Sequence, residues 1–434
     1  MKNKIKTIFI IVSIIFLVSC LIIYAARFIK YYKLEHPSIK KDDNLYKLVT
    51  LEKNITEIGD GLYKKDKDYI FKGKNINNYV LYSGLLWRVV GTDNKNIRMV
   101  RDSNDTILVY GINTNYNNSY VSKWLENYYN NLSNKDIIVP SNICINKVSS
   151  EDINCTEKAE KNIGILSASD YIDAGAEYSY LNNNSYFWVS NVDANNNAWY
   201  VYNKGKLNNV VSSGEVYYPY GIRTLITVKG DTKVMSGDGS KEKPYSLDSI
   251  TSNMLKDKYI GSYITYSNYN WQIIEKTEDY VKVAMDGVIK VDNKDYETTY
   301  GSSNAINLNN GIGKYLNEDF YNSLDNKELI IKHDFYNGIY SKKTNYNYTS
   351  INSSKVNLYV GLMNIGDLFI NTVDNYYMMT RASDIDNTIY ELDKNKAYVG
   401  SVSDTNKVRP VIYLKPDIVI ESGTGLKTDP YMVK

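Results

Sequence analysis

The chain has 434 residues, enough for two to three domains of ordinary size, each able to bury its own core. Lysine and arginine together number 51 against 49 acidic residues, so the net charge of +2 supplies no broad electrostatic footprint for nucleic acid. Two histidines in the whole sequence exclude a histidine-built metal cluster, and 43 tyrosines are explained by AT-rich codon usage rather than by a sugar-binding surface.

Met1 to Lys6 carries three lysines and is followed by an uncharged run, TIFIIVSIIFLVSCLIIYAA, from Thr7 to Ala26. Twenty such residues match a helix across a hydrocarbon core of ~30 Å. The expectation is a cytoplasmic tail over 1–6, a transmembrane signal anchor over 7–26 and a juxtamembrane linker over 27–60. LVSC at Leu17 to Cys20 offers a second reading, a lipoprotein cleaved before Cys20, although the residues after it remain apolar. Both readings put the rest of the chain on the outer face of a membrane, with no nucleic-acid partner.

The stretch YVLYSGLLWRVVGTDNKNIRMVRD, Tyr79 to Asp102, returns as YITYSNYNWQIIEKTEDYVKVAMD, Tyr263 to Asp286, without a gap and at an offset of 184 residues. A domain-sized period predicts two tandem copies of one domain, over 61–247 and 259–434, with a linker over 248–258. YKKDKDYIFKG reads as a small hairpin leading into the first copy. LLWRVV and NIRMV, split by GTDNK, read as strand, turn, strand.

Val121, Trp124, Leu125, Tyr128, Tyr129 and Leu132 fall at the spacing of one helical face, capped by Asn118 or Ser119. Ile312, Tyr315, Leu316, Phe320 and Leu324 repeat it with a one-residue difference in length after Leu316. Further on, Gly164 and Asp170 answer Gly361 and Asp367, YFWVS at Tyr186 answers YYMMT at Tyr376, and Arg223 answers Arg409. Strands, a helix, then more strands predict a mixed, mainly antiparallel α+β domain.

The candidate site residues follow from this frame. Cys144 and Cys155, eleven apart and confined to the first copy, read as a disulfide, with free thiols as the alternative. Trp87 and Trp271 occupy equivalent apolar strands and read as core. Trp188 and Trp199 lie in a loop-rich stretch with no tryptophan counterpart in the second copy. Core placement is the plainer reading for them, and they are also the residues on which a ligand-binding role falls.

Arg223 and Arg409 read as buried arginines that pair with a carboxylate, from Asp102 and Asp286 or from Asp170 and Asp367, or that donate to backbone carbonyls. GTGLKTDP at Gly423 lacks phosphate-loop spacing and reads as a turn. DIDNTIYELD from Asp384 lacks the calcium-loop spacing. No metal or cofactor is expected, and no catalytic motif is present.

The series W-R-V-V, a helix with W-L-x-N-x-Y-Y, G-x-L-S-x-x-D and V-R-P-V-I-Y-L resembles an uncharacterised domain family of bacterial surface proteins, especially Gram-positive ones. Trp87 and Arg88 match its opening, KYLNEDFY at Lys314 its helix, and Val408 to Pro410 its end. Trp271 and Gln272 match the opening by half, and Ile222 to Thr224 lacks the proline. The resemblance covers Asn77 onward and implies a distantly C-type-lectin-like fold. The expectation for function is a membrane-anchored extracellular binding or adhesion protein of a bacterial envelope, with glycan, cell wall or a protein as partner. The alternatives are a non-binding structural or assembly component, and a hydrolase using acidic residues.

Overall fold

The computed structural model describes residues 17–27, 39, 43–111, 115–202, 204–209, 218–248, 252–393 and 396–433. The chain is mixed α+β and mainly β, with several mostly antiparallel sheets. Residues 7–16 of the predicted span over 7–26, and most of the 27–60 linker before residue 43, lie outside the described residues. Residues 17–27 are helical, and Leu17, Leu21 and Ile22 on that helix are exposed. No helix among the described residues is long and apolar enough to cross a membrane.

Tyr79–Tyr82 pairs antiparallel with Leu85–Asp93, which pairs with Asn96–Arg101, which pairs with Thr224–Val228. Thr224–Val228 also receives the short strands Ile138–Val139 and Gly164–Ile165, while Tyr245–Ser246 closes the other edge parallel to Tyr79–Tyr82. The second copy follows the same order. Tyr263–Tyr266, Tyr269–Lys276, Val281–Met285 and Pro410–Leu414 are joined by Ile330–Ile331, Val360–Leu362 and the parallel closing strand Tyr431–Met432. Even the irregularities coincide: the register slips between Val89 and Gly91 in one sheet and between Ile273 and Glu275 in the other. The hairpin Gly61–Lys65 with Asp68–Lys72 extends the first sheet through Gly91.

The local reasons are legible. The two-residue turns Ser83–Gly84, Asn94–Lys95 and Ser267–Asn268 hold both residues at positive φ, the turn geometry that matches strand twist in a hairpin. Each sheet then recruits the same fasteners. Trp87 and Trp271 are fully buried, and their Nε1 groups donate to Tyr82 O at 3.0 Å and Tyr266 O at 3.1 Å. The Tyr82 and Tyr266 hydroxyls donate to Ser133 O and Asp325 O at 2.6 and 2.7 Å, while Ser83 and Ser267 Oγ accept from the N–H of those same two residues at 2.8 Å. Strand, turn and the segment after the helix are thereby locked together in both copies.

The helix Tyr120–Tyr129 is capped by Ser119, whose Oγ accepts from Ser122 N, and it buries Val121, Trp124, Leu125 and Tyr128. In the second copy the one-residue difference after Leu316 becomes a π turn over Leu316–Phe320, set between the helical turns Gly311–Tyr315 and Tyr321–Ser323. An extra residue inside a helix is absorbed in this way when both flanking faces are pinned to a core.

A second sheet in each copy has an unusual parallel pair at its centre. Phe187–Val192 runs parallel to Tyr220–Ile222, as Tyr376–Arg381 does to Thr405–Lys407, with Ala198–Val201 and Thr388–Asp393 antiparallel on the other side. This register corrects the alignment of YFWVS with YYMMT by one residue. Phe187 rather than Tyr186 stands opposite Tyr376, and Ser190 N and Met379 N make the matching bonds to Leu166 O and Met363 O.

One hydrophobic cluster runs through both copies. The helix of the first copy faces the second directly. Trp124 Nε1 donates to Gly366 O at 3.0 Å, Asn127 Nδ2 to Tyr348 Oη at 2.6 Å, and Tyr120 Oη to Asn345 O at 2.9 Å. Val109 N donates to the buried Tyr340 hydroxyl at 2.9 Å, and Phe369 N to Asp105 O at 2.6 Å. These contacts are head to tail, since different surfaces of the two copies meet.

Candidate functional site

Arg223 and Arg409 are almost wholly buried. Arg223 Nε donates to Arg101 O at 2.7 Å and Nη1 donates to Leu181 O. Arg409 Nε donates to Met285 O at 2.9 Å, and its other nitrogens reach Phe369 O, Ile370 O, Tyr376 Oη and Thr372 Oγ1. The backbone-carbonyl reading therefore applies to both, and the carboxylate pairing does not. Asp102 offers Arg223 its carbonyl at 3.4 Å, while its carboxylate lies 3.5 Å from Arg88. Burial pulls the Arg223 guanidinium down to about 10, against the attraction of Asp102.

The remaining candidate carboxylates pair elsewhere, and they do so consistently. Asp170 binds Arg98 at 2.8 Å and Asp367 binds Lys282 at 3.0 Å, Arg98 and Lys282 being repeat equivalents. Both acids also serve their own loops: Asp170 completes a capping box with Ser167, and Asp367 Oδ2 accepts from Asn364 N. Burial pushes the Asp170 carboxyl up, but the Arg98 guanidinium and the Ser167 bonds outweigh it and hold the group below the usual carboxylate range. Asp286 faces Lys427 at 2.9 Å. The Gly423 segment is a turn, with Thr424 N and Gly425 N donating to Asp429 O.

Trp188 is a correction to the ligand-binding expectation. It is fully buried among Tyr110, Tyr200 and Tyr220, at ring separations of 5.3, 5.8 and 4.9 Å, and its Nε1 donates to Leu108 O at 2.8 Å. Its stretch looked like loop because it is rich in asparagine, yet Phe187–Val192 is a central strand with every residue buried.

Trp199 is placed differently. Its strand Ala198–Val201 pairs with Leu207–Asn209, and the ring lines a cavity of about 380 Å³. The residue is 7% exposed, and its Nε1 has no hydrogen-bond partner among the described residues. Ile172 from the helix Ala168–Asp173 and Tyr178 from the following turn form one wall, with Tyr178 75% exposed. Gly205 and Leu207 form another, and Gly205 O is held by the Tyr171 hydroxyl at 2.6 Å. The third wall, Ser150 and Ile153, belongs to the loop closed by the Cys144–Cys155 disulfide, whose Cα atoms are 5.6 Å apart. The disulfide thus fixes one side of the cavity. An apolar pocket of this size with one buried, unused donor and an exposed aromatic rim has the composition of a small-ligand site.

A larger cavity, about 610 Å³, lies where the copies meet. Leu85, Leu86 and Asp102 of the first copy and Tyr263, Gln272 and Phe369 of the second line it. Gln272 was absent from the sequence-derived candidates. The signal that marks it was present, since Trp271–Gln272 departs from the Trp87–Arg88 of the first copy.

The first residue of the inter-copy segment ties back to the first copy. Asp248 accepts from Ser83 N and Gly84 N, both at 2.8 Å, and burial pushes its carboxyl up to about 6. A carboxyl raised on folding stabilises the fold below its unfolded value, and that contribution is lost as pH rises through the folded value. Between about pH 4 and pH 6 this group should remove about 2–3 kcal/mol of stability. Denaturant titrations at pH 4, 5, 6 and 7 on the wild type and Asp248→Asn check this, the variant giving the flatter profile.

Among the described residues no cluster of three or more histidine, cysteine or acidic side chains is placed to hold a metal ion. His333 is stacked on Tyr413 at 4.1 Å, and His36 lies outside the described residues. In comparisons with known proteins, no family model, curated protein or solved structure matches this chain.

Proposed function

We propose that this chain is a membrane-anchored extracellular binding protein of a bacterial envelope, made of two tandem copies of one α+β domain. Its ligand is a glycan or cell-wall fragment, and the Trp199 cavity is the receiving site. The observation that carries this reading is Trp199, which lines a cavity rimmed by exposed Tyr178 and whose buried indole N–H lacks a partner among the described residues. A sugar ring laid on Tyr178 presents apolar C–H groups to the aromatic face. A carbonyl or hydroxyl oxygen on the same sugar accepts from Trp199. The apolar run at 7–26, of which residues 17–26 are helical with exposed aliphatic side chains, supports the anchor. The likeness to bacterial surface domains from Asn77 onward supports the envelope setting.

The test is binding of the full chain, in detergent micelles, to a glycan array and to purified wall fragments, with and without calcium. Saturable binding is expected, and Trp199→Phe, which keeps the ring and deletes the donor, should weaken it about threefold to tenfold. Absence of binding to any glycan or wall fragment, or equal affinity in Trp199→Phe, contradicts the reading.

A further inference from the structure

The seam cavity is an asymmetry between two otherwise matched copies. In the first, Arg88 fills the position: its guanidinium lies 3.9 Å over the Tyr79 ring and donates to Asn78 Oδ1 at 2.5 Å, Tyr79 Oη at 2.9 Å and Ile76 O at 3.1 Å. In the second the equivalent residue is Gln272, which is shorter and uncharged. Its Nε2 donates to Gly261 O at 3.2 Å, but Oε1 is buried with no partner among the described residues, and Gln272 is 5% exposed. Asp286, the counterpart of Asp102, is served by Lys427 instead. Lys427 stands over the Tyr263 ring at 5.7 Å as Arg88 does over Tyr79, and Gln272 and Lys427 both line the cavity where the two copies meet.

The rest of the wall fixes the chemistry of an occupant. Leu85, Leu86 and Phe369 supply an apolar middle. Lys241 and Lys243, on the closing turn of the first copy, are exposed at the rim and form no ion pair among the described residues. Two acids also line the cavity: Glu242 lies between those lysines in sequence, and Asp102 already faces Arg88. An occupant needs a hydrogen-bond donor for Gln272, a small apolar body and an anionic end.

We propose that the seam cavity binds a short peptide of small residues with a free C-terminal carboxylate, a backbone N–H donating to Gln272 Oε1 and the carboxylate meeting Lys241 and Lys243. A cavity of this volume holds a tripeptide and falls in the range of small-ligand sites. Because both copies line it, occupancy also fastens their relative placement. The site is separate from the Trp199 cavity, so tripeptide binding and glycan binding are independent readouts.

Isothermal titration of the full chain in detergent micelles with trialanine, as free acid and as C-terminal amide, tests the assignment. Saturable binding of the acid is expected, with the amide about tenfold weaker or worse. Gln272→Arg restores the first copy's side chain, fills the space and should abolish binding without lowering the thermal midpoint. Gln272→Leu, which deletes only the acceptor, should weaken binding about threefold to tenfold. Lack of saturable binding of the acid at millimolar peptide, equal affinity for the amide, or binding that survives Gln272→Arg in folded protein overturns the proposal.

Discussion

Arg409→Met should cost about 3–5 kcal/mol of stability, among the largest single-residue effects expected in the molecule. The side chain is fully buried and donates to three backbone carbonyls and two hydroxyl oxygens. Methionine preserves much of the volume but removes five hydrogen bonds, leaving Met285 O without its guanidinium donor while Phe369 O keeps Thr372 and Ile370 O keeps the Tyr376 hydroxyl. Each charge-assisted bond lost from a buried acceptor costs about 1–3 kcal/mol when water cannot replace it. Arg409→Lys should recover little, because an ammonium is a point donor and cannot span acceptors arranged around a planar fork. Chemical denaturation with the slope held common to all variants reads the difference. A loss under about 1 kcal/mol would show that the carbonyls find other donors. The same change at Arg223, which bridges Arg101 O and Leu181 O, should be of similar size.

Asp170→Ala should cost about 3–5 kcal/mol, for a different reason. Its partner Arg98 has a side chain only 19% exposed, and the substitution leaves that charge without its carboxylate. The double variant Asp170→Ala, Arg98→Met should be markedly more stable than the sum of the single changes, since it removes both charges together. The pair also sets an acid limit. A carboxyl held low by folding contributes stability above its unfolded value near pH 4, and that contribution is lost as pH falls through the lower folded value. Asp170→Asn should therefore flatten the acid limb of the stability profile. If single and double variants prove additive, the two groups do not interact as the geometry requires.

Much of this architecture was readable in the sequence because the chain states it twice. The ungapped match of Tyr79–Asp102 with Tyr263–Asp286 yields two strand meanders with the same turn, the same buried tryptophan and the same register slip. The length difference after Leu316 was visible as a mismatch, and its physical form is a π turn. Pairing of charges was less legible. Spacing places Asp170 and Asp367 at equivalent positions, but only the folded sheet shows that they face Arg98 and Lys282 instead of Arg223 and Arg409.

At Trp188 the core reading holds and the ligand-binding role does not. Asparagine-rich flanks look like loop, whereas a sheet covered on both faces hides its central strand whatever its neighbours are. The head-to-tail seam carried no sequence signal of its own, because periodicity reports which residues face a core and not which copy supplies it. Gln272 lies between these cases, since its mismatch with Arg88 was plain and its consequence required the seam.

The proposed function has a ligand entering at Trp199. Its most direct test is titration of the full chain with the best-binding glycan or wall fragment found on the array, wild type beside Trp199→Phe. Saturable binding, weakened about threefold to tenfold by loss of the single indole N–H in a protein of unchanged stability, is the predicted result. Failure of the wild type to bind any glycan or wall fragment, or affinity indifferent to Trp199→Phe, would contradict it.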